Sequence, residues 1–112
     1  MGRLIAAVAI VALTYGPANS FFDDGNKLLE LCRGGEDDRT CVGEIVGHYD
    51  MMEEIGYDCE GATHATKSQM RDVVLKFLDD HPALRNKHSA AALSFGAFTV
   101  AFSCRLRNSA TP

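Results

Sequence analysis

The sequence has no excess of basic residues and no long apolar segment. Its 112 residues include 11 Lys and Arg against 15 Asp and Glu, so the formal net charge is −4 with histidine neutral. Nucleic-acid phosphates require a basic patch, and the basic residues here are scattered. A permanent membrane-spanning helix needs about 20 apolar residues, and no segment comes close. We therefore expect no nucleic-acid partner and no membrane span in the mature protein.

The sequence also lacks recognisable catalytic and metal-binding motifs. No nucleophile-elbow or zinc-protease motif occurs. The histidines have none of the short spacings of a zinc site; they are His48, His64, His81 and His88. Acid pairs such as Asp37-Asp38 are typical of helix starts and solvated turns. We therefore predict that the protein is not an enzyme and uses no metal or other cofactor.

The N-terminal residues have the features of an export signal. Arg3 precedes an apolar run from Leu4 to Leu13, and Ala18-Asn19-Ser20 places small residues where a signal peptidase cuts. We expect removal of residues 1–20, which leaves a single domain over residues 21–112. That removal takes away Arg3 but no acid, so 10 basic and 15 acidic residues remain and the net charge becomes −5. The predicted location is the periplasm, with secretion as the alternative, and disulfides persist in both.

Apolar residues recur at helical spacing, and no stretch of four or more residues alternates cleanly enough to predict a strand. Capping and breaking residues divide the mature chain into four helices. The predicted helices run from Asp23 or Asp24 to Gly34-Gly35, from Asp37 or Asp38 to Ile55, from a capping box at Thr66–Gln69 to His81-Pro82, and from Ala90, after Ser89 as a cap, to Cys104. The predicted fold class is all-α: a small disulfide-stapled bundle of four main helices.

An up-down-up-down bundle determines how the four cysteines pair. Cys32 ends the first helix and Cys41 begins the second, whereas Cys59 and Cys104 lie together at the opposite end of the bundle. Joining Cys41 to Cys59 would bridge helix ends roughly 27 Å apart, but bonded cysteines need α-carbons within about 7 Å. Joining Cys32 to Cys59 fails for the same reason. The predicted disulfides are Cys32–Cys41 and Cys59–Cys104, which leave no thiol free as a nucleophile or metal ligand.

The second helix carries glycines on the side opposite its predicted core face. That core face comprises Cys41, Val42, Ile45, Val46, Tyr49 and Met52. The opposite side, here called the glycine stripe, comprises Gly43, Gly47, Asp50 and Glu54. Each glycine costs about 1 kcal/mol relative to alanine. We interpret the stripe as a partner or dimer surface, because small residues let another chain approach closely. Neutral drift, or another helix of the same chain lying there, are the alternatives.

The last predicted helix is apolar on all sides. Leu93, Ala97 and Val100 share one face, and Phe95, Phe98 and Phe102 lie nearly opposite. A helix that is apolar all round is normally buried all round. We therefore predict that it is the central helix, wrapped by the other three. In the alternative arrangement, its phenylalanine face lies in a dimer interface.

Three groups of residues lie at intervals between the first predicted helix and the last cysteine. They are Gly25-Asn26-x-Leu28-Leu29-x-x-Cys32, then Cys41-x-Gly43-x-Ile45-x-Gly47 with Asp50, and a closing block of His81-Pro82-x-x-Arg85, Ala90, Ala97 and Ala101-Phe102-x-Cys104. Together they resemble the Rap/Tai immunity proteins, which protect bacteria against type VI secretion amidase effectors. The chain departs from the family pattern at Glu44, where an aromatic residue is expected, and at His88 and Ser103, where proline is common.

The resemblance implies a small periplasmic helical protein, often a homodimer, that binds a peptidoglycan amidase and blocks its active-site cleft. We interpret His81, Pro82 and Arg85 as a structural motif, in which proline fixes the turn and Arg85 satisfies nearby carbonyls or an acid. The alternative function is a periplasmic acid-stress chaperone, since such proteins are also small, helical, disulfide-bonded and exported. An immunity protein has one tight partner at neutral pH, whereas a chaperone exposes an apolar face at low pH and holds many clients.

Overall fold

A computed structural model describes residues 21–33 and 38–107 of the chain. The predicted signal peptide, residues 1–20, and the predicted helix stop at Gly34-Gly35 lie outside the described residues. The described residues contain four α-helices, which confirms the predicted bundle. Their bounds are Gly25–Arg33 for α1, Asp38–Glu54 for α2, Lys67–Asp80 for α3 and Ala90–Phe102 for α4.

Local capping explains where the last two helices begin. The Thr66 side chain accepts from the Gln69 amide at 3.1 Å, and the Gln69 side chain accepts from the Thr66 amide at 2.8 Å. This reciprocal pair is the predicted capping box. Ser89 Oγ accepts from the Ala92 amide at 3.1 Å and caps α4, also as predicted. Each cap satisfies backbone donors that a helix start otherwise leaves open.

The structure corrects the all-α prediction by adding a two-stranded antiparallel sheet. Strand β1, Tyr57–Cys59, is followed by a short 3₁₀ helix, Glu60–Ala62, and pairs with strand β2, Cys104–Leu106. Cys59 lies opposite Cys104 in the ladder. Three residues are too few to show strand alternation, so the sequence pattern could not reveal this pairing.

The fourth helix is shorter than predicted, because it ends at Phe102 and Cys104 belongs to β2. Ser103 adopts a left-handed conformation with φ 55°, and its amide donates to the Thr99 carbonyl at 3.0 Å. A left-handed residue is a common way to end a helix and turn the chain. This turn ends the helix and places Cys104 opposite Cys59 in the ladder.

Both predicted disulfides are confirmed. Cys32 and Cys41 join the end of α1 to the start of α2, with α-carbons 5.0 Å apart. Cys59 and Cys104 join β1 to β2, with α-carbons 3.9 Å apart. All four cysteines of the sequence are therefore paired. The two bonds fasten different parts of the bundle, since one closes the α1–α2 connection and the other links the two strands.

Helix α4 packs against α1, α2 and α3, but each of the other helices also contacts the remaining three, so the central position of α4 stays a prediction. Phe98 is fully buried and makes an edge-on contact with Tyr49 of α2, with ring centroids 5.4 Å apart. The burial is not all round, however, because Val100 is 77% exposed. The fully buried apolar side chains at the centre of the core are Leu28, Cys41, Ile45, Met52, Val74, Leu78 and Phe98.

The start of α1 is fixed to the connection between α3 and α4. The Gly25 amide donates to the Arg85 carbonyl at 2.7 Å, and the Ala90 amide donates to the Asp23 carbonyl at 2.8 Å. A Cβ on Gly25 would lie 2.9 Å from Arg85 Cα, so only glycine fits this approach. The segment that enters α1 is therefore held against the beginning of α4.

Candidate partner-binding surface

Helix α2 presents one face to the core and the glycine stripe to solvent. Cys41, Ile45 and Met52 are buried. All four stripe residues are exposed, which are Gly43, Gly47, Asp50 and Glu54. The predicted amphipathic arrangement of this helix is therefore present, with its least bulky residues on the outside.

The two glycines of the stripe lie in open space. A Cβ built on Gly43 or on Gly47 would meet no heavy atom within 4 Å. No described part of the chain covers them, so the alternative of another helix lying on the stripe is wrong for residues 21–33 and 38–107. Packing within the fold requires glycine at neither position. The helix backbone is consequently accessible to an approaching surface over one full turn.

An open groove of about 460 Å³ runs beside the stripe. It contains both signs of charge: Asp38 and Asp50 are acidic, and Arg39 and Lys67 are basic. Asp38 also accepts from Arg71 Nη1 at 2.6 Å, which ties the start of α2 to α3. The remaining lining residues are Val42, Gly43, Val46, Gly47 and Ser68. The groove therefore combines small and apolar side chains with charges at its margin, as protein interfaces commonly do.

A polar cluster lies on the opposite flank of α2. His48 Nδ1 is 2.9 Å from Ser94 Oγ, and His48 Nε2 is 3.8 Å from Glu44 Oε2. Burial lowers the pKa of His48, and the negative charge of Asp23 partly opposes that shift. Burial, followed by the charge of Asp23 and a hydrogen bond to it, raises the pKa of Glu44 to about 7.

The cluster contains a serine, a histidine and a carboxylate, but Ser94 is fully buried in the core. Its hydroxyl is closed to a substrate in this structure. The partial burial of Glu44 was not predicted from the sequence. The sequence signal for this contact was the i, i+4 spacing of Glu44 and His48, because residues four apart lie next to each other on a helix.

A larger open pocket of about 670 Å³ lies next to the two-stranded sheet. Arg107 Nε donates to Asp58 across this region at 2.8 Å. Burial, followed by the charges of Glu53 and Asp50, a hydrogen bond to Glu53 and the charge of Asp58, raises the pKa of Tyr49 at the pocket edge. None of the four stripe residues lines this pocket, so it is distinct from the candidate surface on α2.

The residues of the predicted structural motif lie at the connection between α3 and α4. The His81 ring stacks on Phe77, with centroids 4.2 Å apart, and His81 Nδ1 is 2.8 Å from the Phe77 carbonyl oxygen. Arg85 Nη1 donates to the Leu78 carbonyl at 3.2 Å. Pro82 follows the end of α3 and is exposed. These contacts engage carbonyl groups in the last turn of α3.

Within residues 21–33 and 38–107, no three His, Cys, Asp or Glu side chains are grouped so that they could hold a metal ion. Over the same residues, no helix has both the length and the apolar character to cross a bilayer.

Comparison with protein families gives a match to a family model described as Rap1a immunity proteins. The match covers residues 24–104, from the entry into α1 to the last cysteine. It includes the glycine stripe, the polar cluster and both disulfides. Comparison with curated proteins and with solved structures finds no match.

Proposed function

The chain belongs to the Rap1a immunity protein family, and we propose that it protects a bacterial cell by binding a type VI secretion amidase effector. In this proposal the protein covers the active-site cleft of the amidase and excludes cell-wall peptide. The family match is the observation that carries the proposal, because it spans nearly all of the described domain. The site of action is the periplasm, where an amidase meets its peptidoglycan substrate.

Such a function requires a rigid surface and no catalysis. Helix α2 supplies rigidity, because its inner face is anchored by Cys41, Ile45 and Met52, and a disulfide ties its first turn to α1. A surface that is already ordered loses less conformational entropy when it binds. The fold therefore favours tight binding by a preformed face over binding that must first order a loop.

We place the partner contact on the glycine stripe. Gly43 and Gly47 leave the α2 backbone open, so a ridge of another protein can approach it closely. Asp50 and Glu54 lie on the same face and offer acceptors to basic or amide groups of a partner. A homodimer is the alternative occupant of this surface, and loss of self-association without loss of an amidase would identify it.

The net negative charge should raise the rate of association with a basic partner more than it raises the affinity. Residues 21–112 carry 10 basic and 15 acidic side chains, which gives a net charge of −5. An acidic protein is steered toward a basic cleft or rim, which raises the association rate and makes it sensitive to salt. The proposed amidase should accordingly have a positively charged surface around its cleft.

The test is a pull-down at neutral pH from cells of the same species, with tagged protein and with a Gly43→Arg variant. The proposal predicts one stoichiometric amidase in the wild-type eluate and its loss with Gly43→Arg. Ala92→Arg is the matched control, because it adds the same charge at an exposed position of α4. It should retain the amidase.

Three other outcomes would change the proposal. Retention of the amidase by Gly43→Arg would move the contact away from the stripe while leaving the immunity function intact. Loss of self-association alone would assign the stripe to a homodimer. Many clients bound only after acid treatment, with no amidase at neutral pH, would replace the immunity function by the chaperone alternative.

A further inference from the structure

The polar cluster on α2 leaves one buried carboxyl oxygen with no hydrogen-bond donor. Glu44 Oε2 is buried and accepts no hydrogen bond, although the His48 ring lies 3.8 Å away. The side chains of Glu44 and His48 are only 23% and 18% exposed, respectively. Ser94, which contacts the other ring nitrogen, is fully buried. A carboxyl group in this position is more favourable when protonated than when ionised, because no donor solvates its charge.

The cluster also touches the segment that enters α1. Asp23 interacts with Glu44 through its charge and through a side-chain hydrogen bond. The backbone of the same residue accepts from the Ala90 amide at 2.8 Å, and Asp24 forms a β-bridge with Ser89. The segment 21–24 is thus attached to α2 by a side chain and to the start of α4 by its backbone.

We propose that Asp23, Glu44, His48 and Ser94 form a pH-sensitive latch, which holds segment 21–24 against α2 and α4 in mildly acidic medium and loosens it at alkaline pH. A protonated Glu44 donates to the Asp23 carboxylate and closes the latch. When Glu44 loses its proton, two carboxylates face each other in a partly buried site and repel. The inference concerns the free protein and does not depend on the proposed partner.

The two titrating groups define the pH range in which the latch is closed. The pKa of Glu44 rises from its ordinary 4.5 to about 7 in the fold, so its stabilising effect is complete below pH 4.5 and is lost as the pH rises through 7. The pKa of His48 is lowered from 6.5, so neutral His48 favours the fold above pH 6.5 and loses that advantage as the pH falls. Between 4.5 and 6.5 the two effects oppose each other, and above 6.5 only the Glu44 effect remains.

Other charged groups around the cluster have partners elsewhere or are exposed. In α1, Lys27 donates through Nζ to the Phe22 carbonyl at 3.2 Å, and Arg33 pairs with Asp79. Glu30 is exposed. Helix α4 contributes no ionisable side chain, since its sequence is AAALSFGAFTVAF. At the connection before α4, the Arg85 guanidinium donates to the Leu78 carbonyl. Asp23 is therefore the charge that acts on both Glu44 and His48.

Hydrogen exchange at the Ala90 amide tests the latch directly, because this amide donates to Asp23. The measurement compares its protection factor, corrected for intrinsic exchange, at pH 6 and at pH 8. We expect protection to fall by about tenfold in the wild type, because a Glu44 pKa of 4.5 in the open form and about 7 in the closed form changes the closing equilibrium by about that factor between pH 6 and pH 8. The Met70 amide, inside the α3 N-terminal turn, is the internal reference and should change little.

Glu44→Gln is the informative variant, because its side chain has a similar shape and cannot ionise. It should fold and should show the same Ala90 protection at both pH values. Glu30→Gln removes one charge from an exposed position of α1, outside the stripe, and should behave like the wild type. The latch is overturned if wild-type protection is unchanged between the two pH values, or if Glu44→Gln loses as much protection as the wild type. A carboxyl titration of Glu44 by NMR that gives an ordinary pKa would also overturn it, whatever the variants do.

Discussion

Replacing both stripe glycines by alanine should stabilise the free protein. The Gly43→Ala/Gly47→Ala variant adds two methyl groups where no heavy atom lies within 4 Å, so neither creates a clash. Each substitution removes the conformational cost of a helical glycine, about 0.8 to 1.0 kcal/mol. The expected gain is therefore about 1.6 to 2.0 kcal/mol. For a domain of this size that corresponds to a rise in Tm of roughly 6 to 16 °C.

Two further alanine variants test glycines at which a Cβ would lie too close to backbone atoms, in contrast to the two glycines of the stripe. A Cβ on Gly61 would lie 3.0 Å from Phe102 Cα and 3.2 Å from the Phe102 carbonyl oxygen. A Cβ on Gly25 would lie 2.9 Å from Arg85 Cα. Both neighbours are backbone atoms that cannot move cheaply, so Gly61→Ala and Gly25→Ala should each destabilise the fold by about 1 kcal/mol or more.

Thermal unfolding followed by circular dichroism, at low protein concentration, measures these effects. If the double variant were no more stable than the wild type, the stripe would not be open in the free protein. A loss of stability that grows with protein concentration would point to a homodimer that buries the stripe. The same double variant should bind the amidase more weakly, because the added methyl groups keep another backbone at a distance.

Three further predictions concern the fold. Replacing Cys59 and Cys104 by alanine should cost about 4 kcal/mol in the chain-entropy model, since the bond closes a separation of 45 residues; chemical denaturation of the variant checks this loss. Phe98→Ala should cost about 3 to 5 kcal/mol because Phe98 is fully buried, and an unfolding transition within 1 kcal/mol of the wild type would contradict its central place in the core. Ser103→Gly should raise the Tm, because the residue has φ 55° and glycine adopts that conformation without strain; an unchanged or lower Tm would argue against the left-handed helix end.

The helices were predictable because their signals are local. Thr66 and Gln69 lie three residues apart and cap α3 without help from the rest of the fold. The cysteine pairing followed from helix lengths and directions, which the apolar periodicity already determined. Even the open stripe could be located, because a helical wheel places Gly43 and Gly47 opposite the core face.

The two features that escaped prediction depend on residues distant in sequence. Strands β1 and β2 are three residues each, and their pairing exists because Ser103 turns the chain and brings Cys104 opposite Cys59. Glu44 is partly buried because the segment before α1 folds back on α2 and α4, which the periodicity of α2 alone does not indicate. The family resemblance predicts an aromatic side chain at position 44, and the partly buried flank of α2 is a suitable place for one.

The most direct test of the proposed function is inhibition of the purified amidase that the pull-down identifies. Hydrolysis of peptidoglycan is measured while the protein is added in increasing amounts. Occlusion of the cleft predicts that activity falls in proportion to added protein and is abolished at one equivalent, with Gly43→Arg much less effective and Ala92→Arg equal to the wild type. An amidase that binds the protein yet keeps its full activity at saturation would contradict the proposal that this surface covers the active site.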